Sequence, residues 1–208
     1  NILFNPSIFI NIAILLFSLL VHEISHGVMA YICGDNTAKN YGRLSLNPLH
    51  HLDPLGTIFP ILLILSGSSF VFGWAKPVPI NYYRLKYGRL GEFLVAIAGV
   101  LSNILLAIIG MFLFKHFYEV LAPLHLLEPV LYMISLNILL AVFNIMPIPP
   151  LDGSRVLASI GSYDLRDSIF HMDRYGIFII MILSWTGFLY KFIAPVYMAI
   201  LSFLDKLI

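Results

Sequence analysis

Apolar residues run almost unbroken from 8 to 33, and the ionisable interruptions are His22, Glu23 and His26. A helix of that length crosses a bilayer, which takes about 20 residues. Residues 34–55 are polar and turn-rich, with Gly34, Asp35, Asn36, Gly42, Asn47, Pro48 and Pro54. A second apolar run, 56–72, is broken by Pro60, Ser66, Gly67, Ser68 and Ser69. It leads into Gly73-Trp74-Ala75-Lys76-Pro77-Val78-Pro79 and a basic stretch with Arg84, Lys86 and Arg89. Residues 92–114 and 130–146 predict two more spanning helices, the latter ending at Pro147-Ile148-Pro149-Pro150. Residues 150–175 are polar and charged. Residues 176–207 are apolar, with Lys191 and Pro195 midway, and predict either one kinked helix or a helix plus a second short segment.

Composition agrees with the pattern. Apolar residues make up 60% of the 208 positions and charged residues 11%, against roughly 25% charged in a soluble domain. A globule of this size cannot bury so much apolar surface, so lipid must cover the excess. The expectation is one integral-membrane domain over 1–208, with a catalytic core at about 8–155. A net charge of +1 with histidine neutral gives no basic surface for nucleic acid. Cys33 is the only cysteine, which excludes an internal disulfide and a cysteine-based metal site. The N-terminus has no basic stretch ahead of its apolar run, so no cleavable signal peptide is expected.

The ionisable residues in the first run form His22-Glu23-Ile24-Ser25-His26, an H-E-x-x-H sequence. On a helix, residues four apart share a face, so both imidazoles can reach one metal ion. Glu23 then lies close by as a base for a water activated by that metal. Idle ionisable groups in a membrane helix each cost several kcal/mol, roughly, which argues that these have work. A catalytic zinc takes a third protein ligand. The acidic and histidine candidates are His50, His51, Asp53, Asp152, Asp164, Asp167, His171 and Asp173. Asp152 follows a spanning helix directly, where successive prolines unwind the chain and Gly153 permits a tight turn. Unwound backbone at membrane depth belongs beside a cavity or inside protein.

H-E-x-x-H in one membrane helix, with Asn144-Ile145-Met146-Pro147-Ile148-Pro149-Pro150-Leu151-Asp152-Gly153 after another, resembles the site-2 protease family of intramembrane metalloproteases. Gly99-Val100-Leu101-Ser102-Asn103 matches that family's G-x-x-x-N pattern, although Val100 stands where a proline is common. The stretches 46–54 and 73–79 are similar to the compact prokaryotic branch without a PDZ domain. The matching motifs extend from residue 22 to residue 153.

The resemblance implies one zinc ion held by His22, His26 and Asp152. It further implies Glu23 as the base and hydrolysis of peptide bonds in or near transmembrane segments of other membrane proteins. Asn103 or Asn144 is a candidate to hold the oxyanion or the substrate backbone, and His51, Asp53 and Trp74 are candidates for outer support or a substrate edge. The competing reading is a membrane metal transporter or metal-binding membrane protein. A third, a proteolytically inactive membrane scaffold, is disfavoured because every proposed catalytic residue is present.

The fold expected is all-α and polytopic, in a prokaryotic cell membrane. It comprises a three-helix catalytic core, a re-entrant hairpin over 56–72 with a small β element, and one or two further membrane segments at 176–207 that act as a movable wall. The hairpin follows from the ligands. The alternative is an ordinary span at 56–72 with a steeply tilted first helix; with upright helices, His22, His26 and Asp152 meet if 56–72 makes no net crossing. Nine basic residues then lie on the side of the site, against Lys115 alone in the loop 115–129. The positive-inside rule therefore puts the site nearer the cytoplasm.

Overall fold

The computed structural model describes residues 6–51 and 77–208. The described chain is all-α, and four of its helices are long and apolar enough to cross a membrane. They are α1 (Pro6–Ile32), α2 (Gly88–His116), α3 (Leu127–Asn144) and α7 (Phe188–Leu207). Three shorter α-helices lie between α3 and α7: α4 (Asp152–Ile160), α5 (Tyr163–Met172) and α6 (Gly176–Trp185). The expected hairpin and its β element fall on 56–72, outside the described residues.

α2 is the central post and packs against α1, α3 and α4. Its residue pattern explains why. The inward face carries Gly99, Asn103, Ala107 and Gly110, all buried, while Leu101, Leu105, Ile109 and Phe112 are exposed. Small residues let helix backbones approach closely in a solvent that gives no hydrophobic drive for helices to associate. A β-carbon on Gly110 would come within 2.8 Å of Ile134 on α3. Ala107, Met111, Ile134, Ile138 and Val142 form the main apolar cluster, with Leu204 of α7 joining them from outside.

The helix order follows from the contacts. Lys86 N–H donates to the Cys33 carbonyl at 2.8 Å, so the chain leaves α1 and enters α2 on one side. α3 returns to that side and delivers α4 to α6 there. α7 then crosses back, since Lys115 at the end of α2 pairs with Asp205 at 3.0 Å. Arg166 of α5 makes a two-pronged pair with Glu92 of α2, at 2.8 and 3.2 Å, and Arg155 of α4 pairs with Asp173.

The apolar stretch 176–207 is two helices. The break falls at Gly187, which takes a left-handed φ of +72° and opens α7, and Pro195 lies inside α7. Glycine adopts that conformation without the clash a β-carbon brings. α6 has 10 residues, about 15 Å at 1.5 Å per residue, which is half a hydrocarbon core.

Candidate metal centre

His22 and His26 sit one turn apart on α1, both buried, and Asp152 opens α4. The proline stretch carries the chain from the end of α3 to that point, and Leu151 is extended just before the helix. The close fit depends on Gly153. A β-carbon there would lie 1.9 Å from the Ile145 carbonyl oxygen, so α4 starts directly against the last turn of α3. The sequence suggested a tight turn at Gly153; close approach is what the position requires. The carboxylate of Asp152 also lies in the first turn of α4, where the helix dipole favours negative charge.

The three side chains converge. His22 Nε2 and His26 Nε2 are 3.1 Å apart, and Asp152 Oδ2 is 3.2 and 3.3 Å from them. A tetrahedral zinc ion with ligands at about 2.0–2.1 Å separates neighbouring ligand atoms by about 3.3–3.4 Å. The triangle therefore fits that ion closely. The hydrogen bonds behind it agree. His22 Nδ1 donates to Asn103 Oδ1 at 2.6 Å and His26 Nδ1 to the Val95 carbonyl at 2.7 Å. Both imidazoles then turn unprotonated Nε2 lone pairs toward Asp152. Asp152 Oδ2 is buried and, despite the short distances, has no hydrogen-bond partner. Three lone-pair atoms this close repel unless a metal ion or a shared proton lies between them.

Gly99 makes room for this arrangement. A β-carbon would come within 2.4 Å of His26 Nε2 and 2.7 Å of His22 Nε2. Glu23 points into the same cleft, of about 240 Å³, which is also lined by Pro77, Val78, Ile80, Tyr82, Asn144 and Arg155. Its Oε2 accepts from Val78 N–H at 3.1 Å, and Gly27 allows that segment to lie on α1. Asp35 at the end of α1 accepts from Asn81 N–H at 2.7 Å and holds the same segment further on. Burial pushes the Tyr82 phenol above its usual range, so it lines the cleft as a neutral hydroxyl.

Two histidines, an aspartate and a nearby glutamate are residue types that a metalloprotease uses, and relatives of the chain bear that name. The profile of peptidase family M50 matches residues 114–184, which include the Asp152 segment. "Putative zinc metalloprotease YwhC" of Bacillus subtilis (strain 168) is 42% identical over 178 residues, covering 83% of this chain and 78% of that protein. The chain belongs to peptidase family M50, the site-2 protease family. It is a multi-pass membrane protein of that metalloprotease family. Rip2 of Mycolicibacterium smegmatis, named in the same way, is 26% identical over 82% of this chain. Rip2 of Mycobacterium tuberculosis is 30% identical over 68%. The chain spans 64% and 53% of the length of those two relatives. No solved structure matches the chain.

The other M50 candidates separate. Asn103 is fully buried and turned away from the cleft, with its amide donating to Asn137 at 2.8 Å. Asn144 lines the cleft, and its amide donates to the Leu140 carbonyl at 3.0 Å. His51 is buried, bonds the Ser45 carbonyl at 2.9 Å and does not line the cleft. Asp53 and Trp74 lie outside the described residues. Among the described lining residues none comes from α6 or α7, where a movable wall was expected. Sequence reasoning missed Asn137, Ser18 and Gly99's place against the imidazoles. The signal for the first two was a polar residue in each of α1 and α3 with no motif around it.

Proposed function

We propose that this chain is an intramembrane zinc endopeptidase that cuts transmembrane segments of other membrane proteins. One observation carries the reading: two imidazole nitrogens and an unpartnered carboxylate oxygen converge within 3.3 Å beside a glutamate, in a cleft between membrane helices. His22, His26 and Asp152 would hold one zinc ion, which would supply a polarised water and a Lewis acid for the scissile carbonyl. Glu23 is placed to take the water's proton and return it to the leaving amine. Asn144, with one amide hydrogen uncommitted, is placed to contact the substrate backbone or its oxyanion. The segment 77–80 lies over Glu23, is neither helix nor strand among the described residues, and offers an edge to an unwound substrate. A substrate helix must unwind locally, because its carbonyls are tied up in i to i−4 bonds.

The site lies nearer the cytoplasm in this reading. Arg84, Lys86, Arg89, Arg155, Arg166 and Arg174 flank the membrane helices on the site's side, and Lys115 lies on the other. The test compares wild type with Glu23→Gln on a panel of membrane peptides, with zinc content measured in both. Glu23→Gln should retain zinc and lose cleavage by about 10²–10⁴-fold. A variant that still cuts would remove Glu23 as the base. A wild-type chain that moves zinc across vesicles and cuts nothing would favour the transporter.

A further inference from the structure

We infer that Asn137, on α3 and outside every motif, is a positioning residue that sets which nitrogen of His22 faces the metal. The inference rests on the zinc reading above. Its physical basis is a chain of hydrogen bonds in which each link forces the next. Asn137 Nδ2 donates to the Met133 carbonyl at 2.9 Å and to Ser18 Oγ at 2.9 Å. A main-chain carbonyl only accepts, so the atom of Asn137 facing it is the amide nitrogen. The other atom, Oδ1, faces Asn103 at 2.8 Å and must accept, so Asn103 presents its nitrogen there. The oxygen of Asn103 is thereby turned to His22 Nδ1 at 2.6 Å. An oxygen in that place needs a hydrogen, so His22 carries its proton on Nδ1 and leaves Nε2 free as a ligand.

The two histidines thus take their tautomers from two main-chain carbonyls. His26 reads Val95 directly, and His22 reads Met133 through two side-chain amides. Ser18, Asn103 and Asn137 are fully buried. Turning either amide over would leave like atoms facing each other where no water relieves them. Ser18 lies one turn before His22, so the relay also joins α1, α2 and α3 around the ligand.

A double-mutant cycle on the purified full chain separates positioning from packing, with zinc affinity read by competition against a chromophoric chelator. Asn137→Leu should weaken zinc binding by about 10-fold or more in the wild-type background. In an Asn103→Asp background the same change should cost less than about threefold, because a carboxylate accepts the His22 proton whichever way it turns. Equal losses in both backgrounds, or no loss in either, would overturn the relay while leaving the zinc site in place. A wild-type chain that binds no zinc would overturn the site and the relay together. A measurement without the leucine variant is the ¹⁵N spectrum of metal-free, histidine-labelled protein. The neutral His22 ring should carry its proton on Nδ1; a neutral ring protonated on Nε2 alone would overturn the inference even if Asn137→Leu failed to fold.

Discussion

The core helices α1 to α3 and the C-terminal pair α6 and α7 draw on the same apolar residues but use them differently. Ser18, His22, His26, Asn103 and Asn137 are all buried in the core, against glycines and alanines. α6 and α7 leave Phe178, Ile182, Trp185, Tyr190 and Phe203 exposed, and bury only Gly176, Leu189 and Leu204. In water the reverse would mark a core. In lipid, large apolar side chains are at ease outside, and small or polar ones identify where protein meets protein.

That contrast can be broken at Gly99 first. Gly99→Ala puts a methyl within 2.4 Å of His26 Nε2, so zinc affinity should fall by about 100-fold or more, beyond the usual cost of a lost outer contact. Chelator competition measures it, and near-normal affinity would mean that the imidazoles have room to move. A smaller effect is expected at Gly110, where any β-carbon meets Ile134 at 2.8 Å. Gly110→Leu should destabilise the α2–α3 contact by about 1–3 kcal/mol as overpacking does, read as a lower unfolding midpoint in detergent. The smallest belongs to the lipid-facing side. Phe203 is 62% exposed, and Phe203→Leu should change stability by no more than about 0.5 kcal/mol. A larger loss there would mean that α7 is covered by more than lipid.

The sequence made the clustering of His22, His26 and Asp152 legible because its parts follow local rules. Two histidines four apart need only a helix, and prolines before Asp152 need only their missing N–H groups and fixed φ. The boundaries of α1 to α3 were legible because lipid demands long apolar runs. What escaped depends on pairing between distant residues. Asn137 reads as one polar residue in an apolar run, and only the packing of three helices shows that it faces Asn103. Asn103 is a similar case: its motif suggests a substrate contact, whereas its place behind His22, bonded to Asn137 and not lining the cleft, is a tertiary fact. The break at Gly187 was overlooked in favour of Pro195. Membrane helices accommodate proline, whereas a left-handed residue ends one.

The bond from Asn137 to Ser18 joins residues 119 apart in sequence, and that separation governs how the protein is made. At about 5–20 residues per second, synthesis needs roughly 6–24 seconds to deliver the second partner after the first. During that interval Ser18 lacks its amide partner, while Asn103 and Val95 of α2 are made in time to receive His22 and His26. α1 precedes α2 and α3 in the chain yet is completed only with them, and the cluster of His22, His26 and Asp152 closes only when the chain beyond α3 has emerged.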